Sequence, residues 1–189
     1  MAATFSVIYD ACVLYPAPLR DSLMRLALTD LFKARWTDHI HDEWINALLK
    51  NDKFNRADLV KIRDLMDANV RDAKVVGYEL LIDAIQLPDP NDRHVLAAAI
   101  KAKADAIITF NLKDFPADVL APYHIEAIHP DDFICYQLDL APGITCHALK
   151  QQRESLKNPP KSKEEFLLIL QRQQLPQTVS ELKRYIDLI

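Results

Sequence analysis

Glycine is scarce in this 189-residue sequence, which contains only Gly77 and Gly143. Phosphate-binding loops of the P-loop and dinucleotide-fold types need several closely spaced glycines, so both kinds of nucleotide site are excluded. No apolar run approaches the roughly 20 residues of a transmembrane helix, and the N-terminus lacks the basic and apolar segments of a signal peptide. These absences predict a cytoplasmic protein with no membrane-spanning segment.

Cysteine is also scarce and widely spaced. Cys12, Cys135 and Cys146 are odd in number and form no CxxC pair, so a cysteine-ligated zinc site and a redox dithiol are both excluded. We therefore expect the three thiols to be reduced and structural. No histidine pair stands at metal-ligand spacing either, since the two-residue step between His39 and His41 points the rings apart on a helix.

The composition is that of a folded globular protein, with 50% hydrophobic and 26% charged residues. The net charge of -4 argues against non-specific coating of nucleic acid. Residues 141–189 carry eight Lys/Arg against five Asp/Glu, whereas residues 1–140 carry 15 against 22. This change in charge, with basic and glutamine-rich helical segments after residue 141, predicts a first domain over 1–140 and a helical extension over 141–189.

Apolar runs and helical periodicity alternate along the first domain. The runs 5–14 (FSVIYDACVL) and 106–110 (AIITF) predict buried strands, with a weaker strand at 124–128. Amphipathic helices are expected over 21–33, 39–50 and 55–70, and an alanine-rich helix follows Asp92. Strands separated by helices imply an α/β fold with a parallel sheet, because a parallel connection needs a crossover long enough for a helix.

Three further helices are predicted in the extension, over residues 145–156, 162–174 and 178–189. Ser162 and Glu165 have the three-residue spacing of a capping box, in which each side chain bonds the backbone N–H of the other residue.

Acidic side chains cluster where the predicted strands end. Asp10 ends the first strand, Asn111 and Asp114 follow the strand 106–110, and Asp92 starts the helix that leads into that strand. Ligands of open parallel sheets bind beyond the carboxyl ends of the strands, so these groups could converge, and Glu43 could join them from its helix. Crowded carboxylates raise one another's pKa unless a cation neutralises them, and oxygen ligands favour Mg²⁺ or Mn²⁺. Such an ion suits hydrolysis of a phosphodiester.

Three strings carry a resemblance to a known family: DACVLYP, DEW and, above all, LPDPNDRHVLAAAIKAKADAIITFNLKDFP. They resemble the PIN domain family, particularly its VapC-like toxin branch, over residues 4–133, and the last helices are similar to an extension found in one subgroup. The resemblance implies a three-layer α/β/α fold and a metal-dependent endoribonuclease. It also implies an RNA substrate and a protein antitoxin in a type II toxin-antitoxin pair, and a homodimer is among the expected assemblies.

The resemblance also assigns site residues. Asp10, Glu43 and Asp92 match the family's acids. The resemblance implies that Asp10 and Asp92 hold Mg²⁺ or Mn²⁺, that Glu43 binds the ion or orients the attacking water, and that no covalent intermediate forms. Asp114 is expected as a further metal ligand. Where the family usually has Thr-x-Asp, this chain has Thr109, Phe110 and Asn111, so either Asn111 or Asp114 completes the catalytic set. For binding the RNA we expect Arg93 and Lys113 at the phosphates, together with Thr109.

Other interpretations stay open at this point. Asp92 could be a helix cap, Glu43 could lie on a solvated helix face, Asp114 could cap a short turn, and His94 could touch substrate or only pack. A catalytically silent PIN-fold module that binds RNA or protein is the main alternative function, since Asn111 replaces an acid. A phosphatase or receiver that uses Asp10 alone is disfavoured, because no second acid stands within two residues of Asp10.

Overall fold

The computed structural model describes residues 5–189, so residues 1–4 of the predicted first domain lie outside it. Four short strands form one parallel sheet in the order β2-β1-β3-β4. The strands are β1 (Ser6–Tyr9), β2 (Lys33–Arg35), β3 (Ala106–Ile108) and β4 (Glu126–Ile128). Every residue of β1 and β3 is buried, as expected for parallel strands with helices on both faces. The predicted α/β class with a central parallel sheet is confirmed.

Helices surround the sheet and continue beyond it. In the described chain they are α1 (Ala11–Leu14), α2 (Ala17–Ala27), α3 (Asp38–Leu49), α4 (Arg56–Asn69), α5 (Arg93–Ala102), α6 (Ala117–Leu120), α7 (Pro130–Leu140), α8 (Pro142–Ser155), α9 (Lys163–Arg172) and α10 (Pro176–Arg184). Short 3-10 turns cover Glu79–Ala84, Pro90–Asp92, Leu112–Asp114, Ala121–Tyr123 and Ile186–Leu188. No helix of residues 5–189 is long and apolar enough to cross a membrane.

Capping residues and helix propensity set the ends of α3, α4 and α5. The side chain of Thr37 caps α3 by accepting from the backbone N–H of Ile40, and Asn55 caps α4 by accepting from Asp58. The alanine-rich α5 consists of strong helix formers and stops at Lys103, whose φ of 51° is left-handed. Helices α3, α4 and α5 therefore begin and end close to their predicted residues.

The strand register brings two chain segments to the same edge of the sheet. Tyr9 pairs with Ile108, so β1 and β3 end side by side. The next backbone N–H along, that of Asp10, donates to the carbonyl of Ile108 at 3.1 Å. The N–H of Thr109 in turn donates to Ile128 of β4 at 3.0 Å. The residues that follow both strands are thus adjacent at the carboxyl edge.

The predictions for two elements were wrong. The predicted strand 5–14 ends at Tyr9, and the apolar residues after Asp10 form the single helical turn α1. The predicted helix 21–33 is instead α2 over 17–27, and its last predicted residue, Lys33, lies in the edge strand β2. Asp30, with a left-handed φ of 59°, turns the chain between α2 and β2. A three-residue strand with Lys33 and Arg35 at its ends carries no apolar periodicity that a sequence could reveal.

The C-terminal helices pack onto the first domain, and their apolar residues belong to the same core cluster. Ser22 of α2 donates to Gln152 of α8 at 2.6 Å, and Gln152 donates to the Pro18 carbonyl at 2.8 Å, so a polar contact also joins the two parts. The predicted capping box of Ser162 and Glu165 is present at the start of α9. The predicted boundary after residue 140 falls at the junction of α7 and α8.

Asp131 fastens α10 to α7. Its buried carboxylate accepts from the backbone N–H groups of Gln177 and Thr178, each at 2.8 Å. Asp131→Ala leaves these two donors without their charged acceptor, and we expect it to lower the free energy of unfolding by about 2–3 kcal/mol in urea titrations. Asp139→Ala, which removes an exposed acid from the same helix, is the control and should change it by less than about 0.5 kcal/mol. Equal effects of the two variants would contradict this assignment.

Candidate active site

One cleft at the carboxyl edge of the sheet brings together three of the four predicted acids, and Asn111, from four separate parts of the chain. Asp10 comes from the end of β1, Glu43 from α3, Asp92 from the start of α5, and Asn111 from the loop after β3. The cleft has a volume of about 380 Å³, and its other lining residues are Ala11, Cys12, Tyr15, Trp44 and Ala47. The convergence expected from strand order is therefore present for these four side chains.

Asp10 is buried, with 4% of its surface exposed, and is held by neutral donors. Its Oδ2 atom accepts from the hydroxyl of Thr109 at 2.7 Å and from the thiol of Cys12 at 3.1 Å. Burial raises the pKa of the Asp10 carboxyl, while the hydrogen bonds from Thr109, Cys12 and the Ala11 backbone oppose that rise. The carboxylate is thus fixed in orientation without a cationic partner.

Thr109 and Cys12 form a support behind Asp10. The Thr109 hydroxyl also accepts from the backbone N–H of Asn111 at 3.0 Å, and the Cys12 sulfur accepts from that of Phe110 at 3.3 Å. Thr109 is fully buried, so the structure gives it a contact with Asp10 in place of the expected contact with substrate. Burial, followed by the charge of Asp10, raises the pKa of the Cys12 thiol well above its usual range, which keeps it a neutral donor.

Asp92 is the acid most affected by its neighbours. It stands at the N-cap position of α5, yet its side chain makes no capping hydrogen bond, so the cap interpretation was wrong. Partial burial first, and then the charges of Asp10, Asp89, Asp114 and Glu43, raise the pKa of Asp92 to about 7. The ionised form of Asp92 is therefore unfavourable without a cation beside it, as expected for a metal-binding carboxylate.

Asn111 and Asp114 occupy different places beside Asp92. Asn111 is exposed and lines the cleft, so its amide can reach a bound ion or its water. Asp114 ends the 3-10 turn after Asn111 and is half-buried; it is not among the lining residues of the described cleft. Its charge nevertheless contributes to the raised pKa of Asp92. The two residues thus supply an amide and an additional negative charge to the same site.

Glu43 does not lie on a freely solvated helix face. Its Oε1 atom is 3.0 Å from Nε2 of His94, a buried residue of α5, and its side chain lines the cleft. His39, one turn before Glu43 on α3, stacks on His94 with ring centroids 3.8 Å apart. Burial first, and then the proximity of His94, lowers the pKa of His39. Sequence spacing did not reveal this pair, because His39 and His94 meet between two helices.

His41 contributes to a different network. It is fully buried, its Nε2 lies 3.1 Å from Asp67, and its Nδ1 accepts from the Trp44 indole at 3.0 Å. Trp36 also donates to Asp67 at 2.7 Å, so this group of side chains ties α3 to α4 beneath the cleft. Both tryptophans are buried.

The two predicted phosphate contacts flank the acids in sequence but are not among the lining residues of the described cleft. Arg93 is half-buried, and its Nε donates to the Pro90 carbonyl at 2.9 Å. Lys113 is exposed in the turn after Asn111. Each could meet a longer substrate outside the cleft, where phosphates extend beyond the acids.

Residues 6–113, which include Asp10, Glu43, Asp92 and Asn111, match the family model described as PIN domain. The chain belongs to the PIN domain family. Asp114 lies one residue past the matched segment. Residues 130–184 match a second family model, described as the VapC50 C-terminal domain. The resemblance predicted from the sequence is confirmed, together with the helical extension of this PIN domain protein.

A curated relative of this PIN domain is "Putative ribonuclease VapC50" of Mycobacterium tuberculosis, which is 42% identical over 108 residues. The matched segment covers 57% of this chain and 63% of the relative's length. No solved structure matches the chain.

The raised pKa of Asp92 predicts a pH-dependent stability of the metal-free protein. A carboxyl with a pKa of about 7 in the fold and an ordinary acidic value when unfolded favours folding while protonated, so its stabilising contribution is lost as pH rises toward 7. Measured in EDTA, the melting temperature of Asp92→Asn relative to wild type should therefore be higher at pH 8 than at pH 5. Asp83→Asn, at an exposed acid, serves as control. An Asp92→Asn difference that stays constant between the two pH values would contradict the shift.

Proposed function

We propose that this PIN domain protein is a metal-dependent endoribonuclease that hydrolyses RNA phosphodiester bonds in the cleft of Asp10, Glu43 and Asp92. The observation that carries the proposal is the convergence of these three acids in one cleft, where burial first, and then the charges of neighbouring acids, raise the pKa of Asp92 to about 7. Crowded carboxylates do not stabilise a fold by themselves. Acids perturbed in this way are typical of sites that bind a cation or a substrate. The relative named as a ribonuclease supports RNA as the substrate.

The donor set fits Mg²⁺ or Mn²⁺. Asp10, Glu43 and Asp92 offer carboxylate oxygens, Asn111 can add a carbonyl oxygen, and no thiolate is available, since the Cys12 thiol stays protonated. Asp10 and Asp92 would hold the ion, with Asp114 adding negative charge nearby. When bound, such an ion lowers the pKa of a water molecule and stabilises charge that develops on the phosphate.

The side chains of the site orient the reacting groups and bind the RNA. Thr109 and Cys12 fix the Asp10 carboxylate, so that its position does not depend on the ion. Glu43 orients the attacking water through its carboxylate, and Asn111 donates its amide N–H to a water or to the phosphate. Arg93 and Lys113 contact RNA phosphates beyond the cleft, which gives an affinity that falls with salt and carries no sequence preference. No side chain forms a covalent bond to the substrate.

The replacement of a family acid by Asn111 keeps one competing function in view. A silent PIN-fold module would use the same cleft to bind RNA or a protein without cleaving it. Metal binding separates the two, because a silent module needs no stoichiometric ion at the cleft. Calorimetric titration with Mn²⁺ that shows no binding would favour the silent module.

The toxin role, the protein antitoxin and the homodimer follow from the family resemblance and stay predictions, as does a cytoplasmic location. A small reading frame next to this gene, encoding a DNA-binding domain with a disordered tail, would support the toxin-antitoxin pairing.

Removal of either ion-holding acid should abolish cleavage. We expect Asp10→Asn and Asp92→Asn to lower the rate of cleavage of a fluorescent RNA in Mn²⁺ by at least ~100-fold, because each removes a charge that the ion requires, while circular dichroism stays unchanged. Asp83→Asn, at an exposed acid that is not among the lining residues of the described cleft, should cleave like wild type. Wild-type cleavage that persists in excess EDTA would refute the metal requirement.

The support of Asp10 by Thr109 predicts a second, subtler effect. Thr109→Val keeps the size of the buried side chain but removes the hydroxyl donor to Asp10, so we expect weaker Mn²⁺ binding and cleavage slowed by ~10-fold or more. Thr109→Ser retains the donor and should stay close to wild type in both measurements. If Val and Ser variants behave alike, the hydroxyl has no part in positioning Asp10.

A further inference from the structure

His94 and Glu43 form a buried contact between two helices at the cleft. They lie 51 residues apart in sequence, and the His94 Nε2 and Glu43 Oε1 atoms are 3.0 Å apart. His94 is 98% buried, since only 2% of its surface is exposed, whereas Glu43 is half-buried and reaches the cleft. A carboxylate can only accept, so the histidine must carry a proton on Nε2.

The second nitrogen of His94 has no partner in the described chain. The Nδ1 atom is buried and has no hydrogen-bond partner among residues 5–189. A lone ring proton on Nδ1 would be a buried N–H without an acceptor, whereas on Nε2 it meets the Glu43 carboxylate. The contacts therefore place a proton on Nε2, directed at Glu43.

A second ion between His39, Glu43 and His94 is the competing use of this cluster, since their ligand atoms lie within 4.8 Å of one another. Ligation by His94 Nε2 would displace its proton to Nδ1, where no acceptor is present. Histidines that bind metals almost always donate their other N–H to a partner. The cluster thus lacks the outer hydrogen bond that such a site needs, while the contact with Glu43 requires no rearrangement.

We propose that His94 is a positioning residue: its Nε2–H holds the Glu43 carboxylate in the cleft, and His39 covers the ring by stacking on it. This role rests on the proposed function, because Glu43 is the residue through which His94 acts on the ion and the water. One oxygen, Oε1, is engaged by His94, which leaves Oε2 for the cleft. The contact also links α3 to α5, the helix that begins directly after Asp92.

The metal-free protein gives the first test. Imidazole nitrogen NMR of wild-type protein should show His94 protonated at Nε2, a signature that a purely packing role would not require. An Nε2 that carries no proton, or displacement of the Nε2 proton on addition of Zn²⁺, overturns the proposal and favours the second-ion use of the cluster.

Variants give the second test, read as Mn²⁺ affinity by calorimetry and as cleavage of a fluorescent RNA. His94→Leu removes the donor and should weaken both by ~10-fold to 100-fold, the usual effect of removing a hydrogen bond to a metal-binding side chain. His94→Gln can still donate from a similar position and should stay within ~3-fold of wild type. His147→Leu, at an exposed histidine of α8, is the control and should equal wild type.

The outcomes are separable. Equal impairment of folded Leu and Gln variants, or a Leu variant equal to wild type, overturns the positioning role. A wild-type protein that binds Mn²⁺ without cleaving RNA refutes the ribonuclease proposal, while loss of Mn²⁺ affinity in the Leu variant still supports the role of His94. Wild-type protein that neither binds Mn²⁺ nor cleaves RNA overturns both.

Discussion

Mutual repulsion among carboxylates is the constraint on which the arrangement of the candidate site depends. Asp10, Glu43 and Asp92 share one cleft, and Asp89 and Asp114 add their charges to the field at Asp92. The described lining of the cleft contains no Lys or Arg to offset these charges. Burial first, and then these charges, raise the pKa of Asp92. A site with this surplus of negative charge attracts cations.

The fold tolerates this repulsion by holding the acids with neutral partners. Asp10 receives a hydroxyl from Thr109 and a thiol from Cys12, and Glu43 receives the Nε2–H of His94. A neutral donor fixes the position of a carboxylate and leaves its charge intact. An arginine would fix the position but would also neutralise the charge. The positions of Asp10 and Glu43 are therefore set by neutral side chains, and the negative charge of the site is kept.

Sequence pattern predicted the parts of this arrangement that depend on local chemistry. Buried runs gave β1 and β3, periodicity and caps gave α3 to α5, and strand ends identified Asp10 and Asn111 as neighbours of a site. The short edge strand β2 escaped prediction because three residues with charged ends show no periodicity. The run after Asp10 reads as a strand, but it forms α1, since the chain must turn away once it passes the edge of the sheet.

By itself the sequence determined the fold class, the family and three acids of the candidate site, because apolar periodicity and motif order are local properties of the chain. Only the tertiary structure decided the partners of those acids. Thr109 supports Asp10 because the register of β1 and β3 sets them side by side, and His94 holds Glu43 because α5 packs beside α3. Contacts between side chains that are distant along the chain depend on strand register and helix packing. Neither can be predicted from the spacing of residues within one segment.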